Sequence, residues 1–329
     1  MTTVGAGELL FEPVPNWAQM PVDVSIVEAV GVSVDSHDRV FVFNRGGPAV
    51  VVLNREGQFL NAWGDGCFVR PHGIWIAADD TLYLTDDLGH RVQQFTADGE
   101  LLRTIGPSGE PSATGVEGFD YRQITHGAEP FNLPTNAIVT SDGEIFVADG
   151  YGNARIHRFS PDGDLIMSWG EPGVADGQFC VPHGLGVDEQ GILYVADREN
   201  SRIQLFNRDG ELQDIWTDVI RPCEVFIGSD QLVYIAELGG RAGLFPWLKS
   251  SPQALGGRLS IFSRRGELIA RWGGGNDPTS LCDFYAPHDI CVDSQGSVYL
   301  SEVQLSAAKA SGDDASQWPT LRKFRRCSV

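Results

Sequence analysis

The chain has 329 residues, too many for one ordinary core at about 100–200 residues per domain unless it closes into a large barrel or repeats a small unit. Its 24 Lys and Arg against 44 Asp and Glu leave a net charge of −20, which repels phosphate backbones and anionic lipid, so neither nucleic acid nor membrane is an expected partner. With 42% hydrophobic and 21% charged residues the chain can fill a core, yet no window approaches the roughly 20 apolar residues of a membrane span.

The opening MTTVGAGELLFEPVPNW has neither the basic nor the apolar region of a secretory signal, which makes a cytoplasmic address the expectation. From residue 30 onward a pattern recurs, in the segments 30–64, 69–106, 133–170, 181–216, 221–273 and 286–326. The clearest copies read VRPHGIWIAADDTLYLTDDLGHRVQQFTADGELLRTIG and VPHGLGVDEQGILYVADRENSRIQLFNRDGELQDIW. Each holds four apolar or alternating runs separated by turns such as Asp-Gly, in one copy His183–Val187, Ile192–Asp197, Arg202–Asn207 and Glu211–Trp216. That pattern predicts a four-stranded antiparallel meander. One such sheet cannot bury both faces, but six stacked around an axis can. The expected fold is therefore all-β, a single six-bladed β-propeller over residues 1–329, with Trp63, Trp169, Trp216 and Trp272 near the ends of the outermost strands. The sixth copy stops after its third strand, LRKFRR, and Gly7–Trp17 is expected to supply the fourth, closing the ring by pairing the two termini. The six cysteines form no C-x-x-C pair and are expected to be reduced, buried thiols.

The copies keep one register. The residue after the strand-opening proline, or after Ala29 in the first copy, lies 14 positions before the polar residue ending the second strand, as Val30/Asn44, His72/Asp86, Thr135/Asp149, His183/Asp197, Cys223/Glu237 and His288/Glu302. First strands line the channel of a propeller, so His72, His183 and His288, on alternate blades, are expected to converge at one level. Three neutral imidazoles are the ligand set of a Zn²⁺ centre with a position left for water or substrate. The remaining histidines, His37, His90, His126 and His157, lie off this register and read as surface or structural. The Asp86/Asp149/Asp197 column reads as turn-capping hydrogen bonding.

The long excursions 107–132, about 240–257 and about 304–319 all map to the histidine end, where loops on a rigid scaffold shape a pocket. Just after the second strands stand Arg45, Asp87, Gly150-Tyr151, Arg198, Leu238 and Val303. Arg45 and Arg198 beside a dication favour a small anionic substrate, a carboxylate, despite the acidic whole. Cations near Tyr151 would stabilise its phenolate and suit it to act as a general base.

The repeats resemble NHL repeats. The set PHGI at 71–74, ADGYGNARI at 148–156, FCVPHGLGVD at 179–188, ADRENSRIQLF at 196–206 and APHDI at 286–290 resembles the peptidyl-α-hydroxyglycine α-amidating lyase family, zinc propellers that complete peptide C-terminal amidation. The resemblance runs from about Val30 to Glu302 and is strongest in copies two to four. It implies zinc ligands at His72, His183 and His288, catalytic residues at Arg45, Tyr151 and Arg198, and a structural calcium held by the carbonyls of Val32 and Ile74 and the side chain of Asp289. It implies a lyase acting on an N-acyl-α-hydroxyglycine or a similar carbinolamide, ureidoglycolate included, to give an amide and glyoxylate. This chain departs from the family at Ala286, where a Met is common, and at Gly152, Tyr194 and Leu205, where vertebrate members carry disulfide cysteines; the expectation is that no copper monooxygenase domain is attached.

Two other readings fit a propeller of this kind: a metal-dependent hydrolase such as a lactonase, and a non-enzymatic interaction module. Lactonase sites hold calcium with carboxylate and amide oxygens, whereas imidazole suits zinc.

Overall fold

The computed structural model describes residues 2–116, 118–241, 256–275 and 277–327. Its strands form six antiparallel sheets, the blades of a six-bladed β-propeller, in two compact units, Trp63–Val219 and Met1–Ala62 with Ile220–Val329. No helix among the described residues is long and apolar enough to cross a membrane.

The Trp63–Val219 unit holds three complete blades. Blade 2 is built from Pro71–Ile76, Leu82–Asp86, Arg91–Phe95 and Leu101–Ile105. Blade 3 is built from Pro134–Val139, Ile145–Asp149, Arg155–Phe159 and Leu165–Trp169. Blade 4 has Pro182–Val187, Leu193–Asp197, Arg202–Phe206 and Leu212–Trp216, each within one residue of the sequence expectation. The first strand of blade 3 packs between those of blades 2 and 4. Second strands are buried throughout and fourth strands are half exposed, because a blade presents its middle strands to neighbours on both faces and its outer edge to water.

Adjacent blades share apolar cores: Ile138, Phe146 and Ile156 meet Leu185, Leu193, Val195 and Phe206 in one. The tryptophans that close fourth strands reach the next blade, Trp63 lying 5.3 Å from Phe95 and Trp169 lying 5.9 Å from Phe206. They seat on the Asp-Gly turns: a Cβ on Gly99, at φ +91°, would come within 2.6 Å of the Trp63 ring.

The second unit holds blades 5, 6 and 1. Blade 1 runs Ala29–Val34, Val40–Asn44, Val50–Leu53 and Phe59–Trp63, its last residue falling at the unit boundary. Blade 5 runs Pro222–Ile227, Val233–Glu237, Arg258–Phe262 and Leu268–Gly273; most of its expected excursion at 240–257, residues 242–255, lies outside the described residues. Blade 6 takes Pro287–Val292, Val298–Glu302 and Leu321–Arg326 from one end of the sequence and Leu9–Pro13 from the other, with Phe11 opposite Arg326 and Pro13 opposite Phe324. A fifth strand, Val4–Ala6, folds back on Leu9–Phe11 and was not expected. The 304–319 excursion contains helix α1, Gln304–Ser311.

The polar column at the ends of second strands holds each blade to its own lead-in. Each member pairs across with the residue that opens the first strand, as in Pro71↔Asp86, Pro182↔Asp197 and Ala29↔Asn44. The side chains of Asn44, Asp86, Asp149, Asp197, Glu237 and Glu302 accept backbone N–H groups of Glu28, Arg70, Asn132, Cys180, Ile220 and Ala286. Buried carboxylates need a charge partner, and Arg91, Arg202, Arg258 and Arg322 supply it for Asp86, Asp197, Glu237 and Glu302. Asp149 instead takes Asn153 and His157.

The cysteine expectation needs correction. All six are free, but only Cys223 and Cys291 are buried, Cys67 is exposed and the other three are partly exposed, because they stand on lead-ins and termini as well as on first strands.

Candidate active site

Within the Trp63–Val219 unit the structure brings together His72, His183, Tyr151 and Arg198. Both histidines follow the proline that opens a first strand, and each is 1% exposed. Nδ1 of His72 lies 2.6 Å from the carbonyl oxygen of Thr135 on the next blade. A carbonyl only accepts, so Nδ1 carries the ring proton and Nε2 presents its lone pair. That Nε2 lies 3.0 Å from the Tyr151 phenol oxygen, and Nε2 of His183 lies 3.1 Å from the same oxygen.

Gly150 and a one-residue offset put Tyr151 there. In the other blades of this unit the second residue-column position, Asp87 or Arg198, bonds its N–H to the carbonyl of Arg70 or Val181. In blade 3 that bond is made one residue later, by Tyr151 to Leu133. Gly150 passes so close to Pro182 that a Cβ would stand 2.0 Å from its carbonyl oxygen, so only glycine fits.

Arg198, 2% exposed, donates from Nη1 to the Tyr151 oxygen over 3.3 Å and from Nε to Glu199 over 2.8 Å. The other Glu199 oxygen accepts from the Tyr121 hydroxyl at 3.2 Å. Phe119, from the 107–132 excursion, packs edge-on to Tyr151 at 5.7 Å, with the Arg70 guanidinium 4.8 Å from the Phe119 ring. Arg70 is itself ion-paired with the buried Asp87. Behind Tyr151, His90 accepts the N–H of Leu133 at Nδ1 over 3.1 Å, and burial holds its pKa below the ordinary imidazole value. His90 and His157, which bonds Asp149, are structural as expected.

The other unit carries His288 and Arg45. His288 repeats the His72 arrangement: 5% exposed, with Nδ1 2.7 Å from the carbonyl oxygen of Val30. Arg45 donates from Nη1 to Glu28 and to Ser306 of α1, both at 3.2 Å. Glu28 also accepts the N–H of Ser306 over 2.6 Å. The Asp289 carboxyl is buried and accepts the N–H groups of Val32 and Ile290, and burial pushes its pKa up to about 8. It is thus the amide of Val32 that meets Asp289 here, not its carbonyl. Ile74 is buried in the first strand of blade 2, paired with Leu84.

His72, His183 and His288 are a group that could hold a metal ion. The donor chemistry fits: two of the rings hand Nδ1–H to a backbone carbonyl, the support that fixes tautomer and orientation in metal-binding histidines. Sequence reasoning did not find Glu28, Arg70 or Tyr121. The first two precede the first strands, 17 residues before Arg45 and Asp87, so the register arithmetic shifted by two positions would have found them.

These features define a class: an all-β propeller of NHL type with a three-histidine cluster. Residues 179–206 match the NHL repeat. The chain is 30% identical over 296 residues to peptidyl-alpha-hydroxyglycine alpha-amidating lyase 1 of Drosophila melanogaster, covering 79% of this chain and 50% of that protein. It is 28% identical over 290 residues to NHL repeat-containing protein 3 of Homo sapiens, covering 83% of this chain and 76% of that one. A streptogramin B lyase structure superposes with a TM-score of 0.60 at 13% identity, over 96% of this chain and 97% of that one, a likeness of fold. The chain is thus similar to the peptidyl-α-hydroxyglycine α-amidating lyases and carries an NHL repeat, and it spans half the length of the fly relative.

Proposed function

We propose that the protein is a zinc-dependent lyase that splits a small anionic carbinolamide, R–CO–NH–CH(OH)–COO⁻, into the amide R–CO–NH₂ and glyoxylate. The observation that carries this reading is the Tyr151 oxygen, within hydrogen-bond distance of Nε2 of His72, Nε2 of His183 and Nη1 of Arg198. A base held against the nitrogens that would hold the ion is placed to act on a hydroxyl bound there. His72, His183 and His288 would be the ligands, and a zinc ion bound to them supplies Lewis acidity to the substrate oxygen.

Tyr151, as phenolate, takes the carbinol proton. The oxygen electron pair then forms the C=O of glyoxylate, the C–N bond breaks with its pair on nitrogen, and Tyr151 returns the proton to that nitrogen. Arg198 is in contact with the phenol and stabilises its anion. Arg45, steadied by Glu28 and Ser306, serves as a cation for the substrate carboxylate. The imidazole donors favour this reading over a calcium-dependent lactonase.

The test is incubation of the metal-replete protein with α-hydroxyhippurate or ureidoglycolate and assay of glyoxylate. Release that is lost in His183→Ala and falls at least a hundredfold in Tyr151→Phe supports the reading. Absence of glyoxylate from both compounds with zinc supplied, or full activity in Tyr151→Phe, overturns it.

A further inference from the structure

An open cavity of about 280 Å³ lies in the Trp63–Val219 unit, walled by Tyr121, Ile124, Pro172, Val174, Phe179 and Val181. Among the described residues no carboxylate lines it. The one guanidinium on its border, Arg122, is taken up by a two-point bond to Asp120, with contacts of 2.7 and 2.8 Å. Its volume lies just under the range of pockets that enclose a drug-sized molecule, so it suits one side chain or one ring, uncharged and apolar.

The cavity adjoins the chemistry. Val181 stands two residues before His183, and it packs with Leu133 and Tyr151 in one buried cluster to which Tyr121 also belongs. Two of the cavity walls are thus the packing neighbours of the proposed base. They are also tied to it by hydrogen bonds: Tyr121 to Glu199, Glu199 to Arg198, and Arg198 to Tyr151. Val181 anchors the same group from below, its carbonyl accepting the Arg198 N–H at 3.1 Å.

We propose that this cavity receives the apolar group R of the substrate's acyl part, so that the preferred substrates are N-acyl-α-hydroxyglycines with a bulky aryl or alkyl end. The inference rests on the carbinolamide reading for its chemistry, and on the cavity and its junction with Tyr151 for its specificity.

The test has two arms on the metal-replete protein, wild type and Val174→Trp. Val174 is 78% exposed, so the larger ring fills the cavity without entering the core. In the first arm, 3-phenylpropanamide and acetamide are titrated in and binding is followed by NMR. The phenyl compound is expected to bind roughly tenfold to a hundredfold more tightly, as burial of one ring dictates, and Val174→Trp is expected to erase that advantage. In the second arm glyoxylate release is compared for N-(3-phenylpropanoyl)- and N-acetyl-α-hydroxyglycine, and kcat/KM should favour the former by a similar factor only in the wild type. An advantage that survives Val174→Trp in the binding arm, or no advantage in the wild type, overturns the cavity assignment. Absence of glyoxylate with the binding preference intact overturns the reaction and leaves the cavity assignment standing.

Discussion

Arg198 donates to the phenol oxygen of Tyr151 across 3.3 Å while both side chains are almost fully enclosed. A guanidinium in such contact stabilises the phenolate much more than water would. Arg198→Ala should therefore lower kcat for glyoxylate release by about a hundredfold, with the metal content of the purified protein, measured by plasma mass spectrometry, unchanged. Arg198→Lys should recover only part, because an ammonium cannot serve Tyr151 and Glu199 from one planar fork. Equal kcat in all three proteins would remove Arg198 from the mechanism.

The three histidines should act as a set. His72→Ala and His288→Ala are each expected to take bound zinc from near one per chain to near zero after dialysis, since two imidazoles make an incomplete site. Retention of stoichiometric zinc in either variant would show that the ion sits elsewhere.

Acid should loosen the support of Tyr151. His90 accepts the Leu133 N–H at Nδ1, and the Leu133 carbonyl accepts the Tyr151 N–H. Burial lowers the His90 pKa below the ordinary 6.5, so as pH falls through 6.5 the unfolded chain takes up a proton before the folded one does. This contribution to stability is therefore complete above that pH and is lost below it. Urea midpoints between pH 5 and 7.5 should fall on the acid side. His90→Asn, which keeps an acceptor and tolerates the left-handed φ of +49°, should flatten that slope.

Gly99→Ala should destabilise the fold by about 2 kcal/mol or more. It combines a left-handed backbone with a Cβ pressed into the Trp63 ring. Urea unfolding measures it, and a loss under about 0.5 kcal/mol would mean that the turn and ring shift apart freely.

Phe11→Ala should be severe, about 3–5 kcal/mol, because this residue is 0% exposed and packs with Trp272 and Phe324. A variant with an unchanged urea midpoint would show that the N-terminal strand is dispensable.

The blade architecture was legible because a buried polar residue recurs at fixed spacing in every copy, joined in copies two to four by a strand-opening proline and an Asp-Gly turn, and backbone pairing keeps that spacing as Pro71↔Asp86 and Pro182↔Asp197. His72 and His183 were legible for the same reason. What the sequence hid was contact across copies: nothing local says that Glu28 holds Arg45 and Ser306 together, or that Tyr121 reaches Glu199 78 residues away. Val4–Ala6 escaped because three residues with a central glycine carry no period. The Tyr151 position was found only to within one residue, since the offset at Gly150 depends on the approach of Pro182.

Blade 6 joins Glu12 to Arg325, partners 313 residues apart in sequence. On the ribosome, Leu9–Pro13 must therefore wait until Leu321–Arg326 has been translated before it finds its place. During that interval the nascent chain carries an apolar ribbon, Leu9 to Phe11, whose place in blade 6 is not yet made, and a pairing this distant in sequence closes slowly.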